Sequence, residues 1–135
     1  MDRLKGKVAI ITGGNSGVGE ATAKMFAKEG ATVVITARRE AALEKVAEEI
    51  KAAGGEVYAV STDISKKGDP ERLMDLVIEK YGKVDILVNN AGILEEGLKP
   101  IDRFSDEDLD RIVETNEKGT MRCMRAAAQK MQAGA

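Results

Sequence analysis

Apolar and polar positions along the chain alternate between two rhythms. Short apolar or β-branched runs at 8–11, 32–36, 56–61 and 84–89 predict four strands. These runs are mostly continuous rather than alternating, which is what parallel strands covered on both faces show. Helical periodicity fills the spaces between them. A first helix runs to about residue 29, with Val18, Ala21 and Met25 on one face, and Gly30 caps its end. A second begins near Glu40 and carries Leu43, Val46, Ala47 and Ile50 at i, i+3, i+4, i+7. Pro70 opens a third, which buries Leu73, Leu76 and Val77 and stops at Gly82. After a loop to Phe104, Ser105 and Asp108 form a capping box with Asp in place of the usual Glu or Gln. A long last helix then places Leu109, Ile112, Val113, Asn116, Thr120, Met124, Ala127 and Met131 on one face. Gly119 inside that helix predicts close packing of another element.

With four strands alternating with four helices and no linker or repeat, the chain is expected to be one domain over 1–135. Right-handed crossovers turn that order into an open, doubly wound α/β sheet, whose ligand crevice lies at the carboxyl ends of the strands. The turn after the first strand is Thr12-Gly13-Gly14-Asn15-Ser16-Gly17-Val18-Gly19. It feeds a helix whose first N–H groups are unpaired and partly positive, a ready anion site. Glycine lets the backbone approach a phosphate closely, and Asn15 and Ser16 add polar side chains. Many strand-to-helix turns carry glycine for steric reasons alone, so the context matters. Arg38, Asp63 and Asn90 also fall at strand ends, on the same side as the glycine turn.

Each of these residues has two readings. Arg38 and Arg39 follow strand two about 20 residues after the glycine turn, where an acidic residue would grip the ribose hydroxyls of NAD. Two guanidinium groups there suit a 2′-phosphate, hence NADP, or are simply solvated near a helix start. Asp63 either accepts from an adenine amino group or forms a turn. Asn89 and Asn90 either brace a strand end or face a cofactor. Asn116 interrupts the apolar stripe of the last helix, as a polar anchor for buried backbone groups or as the holder of a water used in chemistry.

Composition narrows the possibilities. The chain has 43% hydrophobic and 33% charged residues and a net charge of −2, with a sequence pI near 5.3. Nothing in that balance steers it to nucleic acid or an anionic membrane. Aromatics at 3% offer few platforms for base stacking. No apolar run is long enough for a membrane span, and no signal-peptide pattern opens the chain. One cysteine, Cys123, fits a reducing, cytoplasmic setting. The absence of histidine removes histidine bases, histidine-based triads and most zinc sites, and no metal is expected.

Taken together, these motifs resemble the short-chain dehydrogenase/reductase family. Thr12-Gly13-x-x-x-Gly17-x-Gly19 is similar to its cofactor-binding turn, and Asn89-Asn90-Ala91-Gly92 to its strand-four motif. Asp63 matches its adenine-contacting acid, Arg38 the basic residue of its NADP-preferring members, and Asn116 its helix asparagine. The resemblance implies a Rossmann-like half-length sheet with strand order 3-2-1-4 and flanking helices. It also implies roles. Gly13, Asn15, Ser16, Gly17, Val18 and Gly19 would carry pyrophosphate and the adenosine ribose. Asp63 and Ile64 would hold adenine, and Asn90, Ala91 and Gly92 would line the nicotinamide-side ribose. Arg38 or Arg39 would take the 2′-phosphate, with Asn116 in the catalytic set.

The family's centre also needs a Tyr-x-x-x-Lys pair, whose lysine lowers the pKa of the tyrosine acid/base. Here the only tyrosines, Tyr58 and Tyr81, are followed four positions on by Thr62 and Asp85. The leading expectation is therefore the amino-terminal, NADP(H)-binding part of a carbonyl/alcohol oxidoreductase, truncated before that pair and inactive alone. The other readings are a stand-alone nucleotide-binding or regulatory module, or an interaction protein in which the glycine turn is a relic. An open edge at strand four further predicts homo-oligomers formed through that strand, the last helix, or both.

Overall fold

The computed structural model describes residues 2–15, 17–91 and 101–133. Ser16 and Gly92 fall outside them. Four parallel strands, β1 (Val8–Thr12), β2 (Thr32–Ala37), β3 (Glu56–Ser61) and β4 (Ile86–Val88), form one sheet in the order β3-β2-β1-β4. Helices α1 (Gly17–Lys28), α2 (Glu40–Ala52) and α3 (Asp69–Tyr81) make the crossovers. The register aligns Ile10 with Val34 on one side and with Leu87 on the other.

The unbroken apolar character of β1 follows from its position. Successive residues of a strand point to opposite faces, and both faces of β1 are covered. Ile10 and Val34 join Leu73, Met74 and Val77 of α3 on one face, with Ala126 and Ala127 farther along the chain. Ile11, Val33 and Ile35 join Leu43, Val46, Ala47 and Ile50 of α2 on the other. The stripe expected for α2 is thus the buried one. On α3 the buried line includes Met74, and Leu76 is only partly buried.

Three expectations need correction. Val18 and Met25 of α1 are 72% and 60% exposed, and Ala21 is exposed as well. The helical period there is right but its phase is wrong. The face turned to the sheet carries Gly19 and Ala23, with Phe26 and Ala27 partly buried against the same core, and a Cβ at Gly19 would strike the Gly13 carbonyl oxygen. Next, β4 is only three residues long, Ile86–Val88. Asp85 sits below the ladder and accepts the Val8 amide on its carboxylate at 2.8 Å, replacing a strand bond with a side-chain one.

The last helix is also not continuous. It comprises α4 (Asp106–Ile112), a π-helical stretch Val113–Gly119, and α5 (Thr120–Ala133). The capping box is present at its start: the Asp108 amide donates to Ser105 Oγ at 3.0 Å and the Ser105 amide to Asp108 Oδ2 at 2.9 Å. An i→i+5 stretch moves the inward line around the helix axis. Thr115, Gly119, Cys123, Ala126 and Ala127 are buried, while Leu109, Val113 and Met124 from the expected stripe are exposed. Of that stripe only Ala127 is fully buried. The inference about Gly119 holds: a Cβ there would lie 2.9 Å from the Ile64 carbonyl oxygen.

Asp85 gives a pH-dependent prediction. Burial works to raise its pKa, but the Val8 amide and Lys83, 3.0 Å away, outweigh it and hold the carboxyl below its usual 3.8. A depressed carboxyl contributes stability that is present above its unfolded pKa and lost as pH falls through the lower folded value. Asp85→Ala should therefore cost roughly 1–3 kcal/mol at neutral pH. In urea unfolding the gap between parent and variant should close below about pH 4. A gap that stays constant across that window would contradict the assignment.

Candidate functional site

A cleft of about 360 Å³ opens at the carboxyl ends of the strands. Most of its wall comes from four segments distant in sequence, the glycine turn after β1, the end of β2 with Arg38 and Arg39, the turn after β3, and Asn90 and Ala91 after β4, and Thr115 adds a fifth.

Thr12 joins the first and last of these. Its hydroxyl accepts the amides of Asn90 and Ala91, each at 3.0 Å, and donates to the Val88 carbonyl at 3.4 Å. The Asn90 side chain crosses back and donates its Nδ2 to the Gly13 carbonyl at 3.2 Å. Two glycines make room for it. A Cβ on Gly19 would stand 2.1 Å from the Gly13 carbonyl oxygen and 2.6 Å from Asn90 Nδ2. A Cβ on Gly13 would stand 2.9 Å from Asn90 Nδ2. Asn90 thus braces the end of β4, and it lines the cleft. Asn89 does not line it.

Asp63 is likewise both turn and wall. Its carboxylate accepts from the amide and the hydroxyl of Ser65, and its own amide donates to Asp69 at 2.8 Å. Ile64 is buried beside it and packs against Gly119. The floor between β2 and β3 is a pair of buried threonines, Thr36 and Thr62, whose hydroxyls bond to each other. Arg38 and Arg39 are exposed at the rim, and neither makes an ion pair among the described residues. Ser61 Oγ donates to the Arg38 carbonyl at 3.1 Å, and the Arg72 guanidinium donates to the Ser61 carbonyl at 2.9 Å. The Arg38 backbone is therefore held while its side chain projects outward.

Of the residues singled out from sequence, the cleft brings together Gly13, Asn15, Arg38, Arg39, Asp63, Ile64, Asn90 and Ala91. Gly17, Val18 and Gly19 open α1 beside it without lining it. Asn116 lies half-buried in the π-helical stretch, and its neighbour Thr115 reaches the cleft. Thr12, Thr36, Thr62 and Thr115 also line it. Thr12 opens the glycine motif without a role of its own in it, and Thr36, Thr62 and Thr115 carry no signal beyond sitting within two residues of a candidate.

Neither tyrosine lines the cleft. Tyr58 and Tyr81 pack edge to face against one another, ring centroids 6.2 Å apart. Burial, then the nearby Glu56 carboxylate, pushes the Tyr81 phenol up to about 12, away from acid/base use near neutrality. No group of three or more potential metal ligands occurs among the described residues.

Comparison with known proteins gives this geometry its family. A profile described as short chain dehydrogenase matches residues 7–135. The chain belongs to that family. An uncharacterized oxidoreductase of Listeria innocua is 42% identical over 118 residues, 87% of this chain and 47% of that protein. The 3-oxoacyl-[acyl-carrier-protein] reductase FabG of Thermotoga maritima is 38% identical over 117 residues, 87% of this chain and 47% of that protein. Among solved structures, a doubly substituted short-chain dehydrogenase/reductase of Serratia marcescens superposes with a TM-score of 0.87 at 36% identity. The match covers 95% of this chain and 52% of that one. An actinorhodin polyketide ketoreductase variant solved with NADPH gives 0.85 at 35% identity, covering 92% of this chain and 47% of the other. This short-chain dehydrogenase chain thus spans about half the length of the relatives it matches. No helix among the described residues is long and apolar enough to cross a membrane.

Proposed function

We propose that the cleft binds NADP(H), and that the chain is the cofactor-binding half of an oxidoreductase acting between a carbonyl and an alcohol. One observation carries this reading: the glycine turn, two arginines that make no ion pair among the described residues, Asp63, Ile64, Asn90 and Ala91 converge on a single cleft. The residues fit the group. The amides opening α1 suit a pyrophosphate, and the cradle closed by Asn90 leaves no room for a side chain at Gly13 or Gly19. Arg38 and Arg39 suit a 2′-phosphate. Asp63 offers an acceptor for an adenine amino group, and Ile64 an apolar contact for its ring. When bound, the nicotinamide would supply hydride transfer. The solved ketoreductase with NADPH supports the phosphate form of the cofactor by similarity.

In this reading the chain alone does not turn over substrate, because neither tyrosine faces the cleft and neither is followed by lysine at the fourth position. Asn116 is the one residue assigned here to the catalytic set. Calorimetric titration with NADPH and NADH tests the proposal. Tighter binding of NADPH supports it, and equal affinities would remove the phosphate assignment.

The same reading includes self-association. Among the described residues β4 pairs with β1 alone, and Leu109, Val113, Met121 and Met124 are 40–66% exposed along α4, the π-helical stretch and α5. An open strand edge and exposed apolar side chains each favour a second copy of the chain. Light scattering should give a mass above the monomer at high protein concentration. A compact monomer throughout would contradict this.

A further inference from the structure

The turn after β3 and the π-helical stretch are joined twice. Ile64 lies against Gly119, where no side chain fits. Arg122, whose side chain is 14% exposed, donates from one guanidinium nitrogen to the Ser65 carbonyl at 3.1 Å and to Glu114 Oε2 at 2.8 Å. Ser65 in turn donates its amide and hydroxyl to Asp63. A chain of contacts therefore runs from Asp63 through Ser65 and Arg122 to Glu114, next to the cleft-lining Thr115 and one residue further from Asn116. π-Helical turns are strained relative to the α-form and persist where neighbours hold them. Here one cation serves the turn and the cleft wall together.

We propose that Arg122 is a positioning residue that fixes the Asp63–Ser65 turn against the π-helical stretch, so that occupation of the adenine end of the cleft orders the segment carrying Thr115 and Asn116. This rests on the reading of Asp63 and Ile64 as the adenine wall. An enclosed guanidinium shared between a carbonyl and a carboxylate makes charge-assisted bonds in both directions. Its removal takes the donor from the Ser65 carbonyl and leaves Glu114 with Lys118 at 3.7 Å, which loosens both segments at once.

The test uses 2′,5′-ADP, which carries the adenine and the 2′-phosphate but no nicotinamide. In the parent chain it should slow amide exchange in 63–65 and also in 115–119. Arg122→Met should weaken 2′,5′-ADP binding on the order of 10-fold and lose the added protection at 115–119. Arg122→Lys, which keeps one cation, should recover part of both. Circular dichroism melting of each variant separates this from simple unfolding. A parent whose protection stops at 63–65, or a folded Arg122→Met that binds and protects like the parent, would overturn the proposal while leaving the adenine wall intact. Failure of the parent to bind 2′,5′-ADP at all would overturn the adenine wall, and this inference with it.

Discussion

Gly19→Ala is expected to abolish dinucleotide binding and to destabilise the chain as well. The added carbon would overlap the Gly13 carbonyl oxygen at 2.1 Å, backbone against backbone, with no flexible side chain able to yield. Either α1 moves away from β1, or the glycine turn opens and the Asn90–Gly13 bond at 3.2 Å breaks. Overpacking of this kind costs roughly 1–3 kcal/mol, and the lost bond adds about 1 kcal/mol. The effect on affinity is larger, because the amides proposed to hold the pyrophosphate are those displaced. A loss on the order of 100-fold corresponds to about 2.7 kcal/mol. Gly17→Ala is the informative control. Gly17 has φ +57° and open space around it, so alanine there meets only backbone strain, about 1–2 kcal/mol. Melting temperature and NADPH affinity measured on both variants check the contrast. A Gly19→Ala protein that melts and binds like the parent would show that the cradle is not under steric pressure.

Arg38→Asp should invert the cofactor preference. An exposed guanidinium at the end of β2 that gives charge-assisted hydrogen bonds to a 2′-phosphate contributes about 1.5–3 kcal/mol, so NADPH affinity should fall roughly 10- to 100-fold. The new carboxylate repels the phosphate and accepts from ribose hydroxyls, so NADH affinity should rise. Arg39→Asp made in parallel identifies which guanidinium makes the contact, since both line the cleft and neither is committed to an ion pair among the described residues. Because both are solvent-exposed, the parent's preference for NADPH should also shrink as salt is raised. Affinities of the parent for the two cofactors that are equal, or that do not respond to salt, would show that the arginines are only solvated surface.

The layer structure was legible because each buried strand has a neighbour on both faces, and that leaves an unbroken apolar run such as 8–11. The four residues of the α2 stripe were legible for a related reason: α2 packs one continuous face on the sheet. The phase of α1 was not, because its fully buried positions are the small residues Gly19 and Ala23, with the larger Phe26 only partly buried beside them. Gly19 is small because the Gly13 carbonyl stands against it, and that approach is a tertiary fact. The last helix failed for another reason. A π-helical stretch shifts the inward line between Val113 and Gly119, and no residue type announces it. Gly119 alone hinted at a close neighbour there, and Ile64 is that neighbour.

At the cleft, the residues marked by charge or glycine were visible in sequence, since each sits just past a strand. The work of the threonines was not. Thr12 stands in the glycine motif, but nothing there shows that its hydroxyl holds the Asn90–Ala91 turn to β1, a contact spanning 78 residues between Thr12 and Asn90. Asp63 and Asn90 each carried a turn or bracing reading beside a cofactor-contacting one; the turn and the brace are present and both residues line the cleft, while the cofactor contacts belong to the proposal.

The most direct measurement is the crystal structure of the chain grown with saturating NADPH. The account predicts pyrophosphate density over residues 13–19, adenine between Asp63 and Ile64, and the 2′-phosphate within hydrogen-bond distance of Arg38 or Arg39. Dinucleotide bound at another surface, or a cleft that stays empty at saturation, would contradict it.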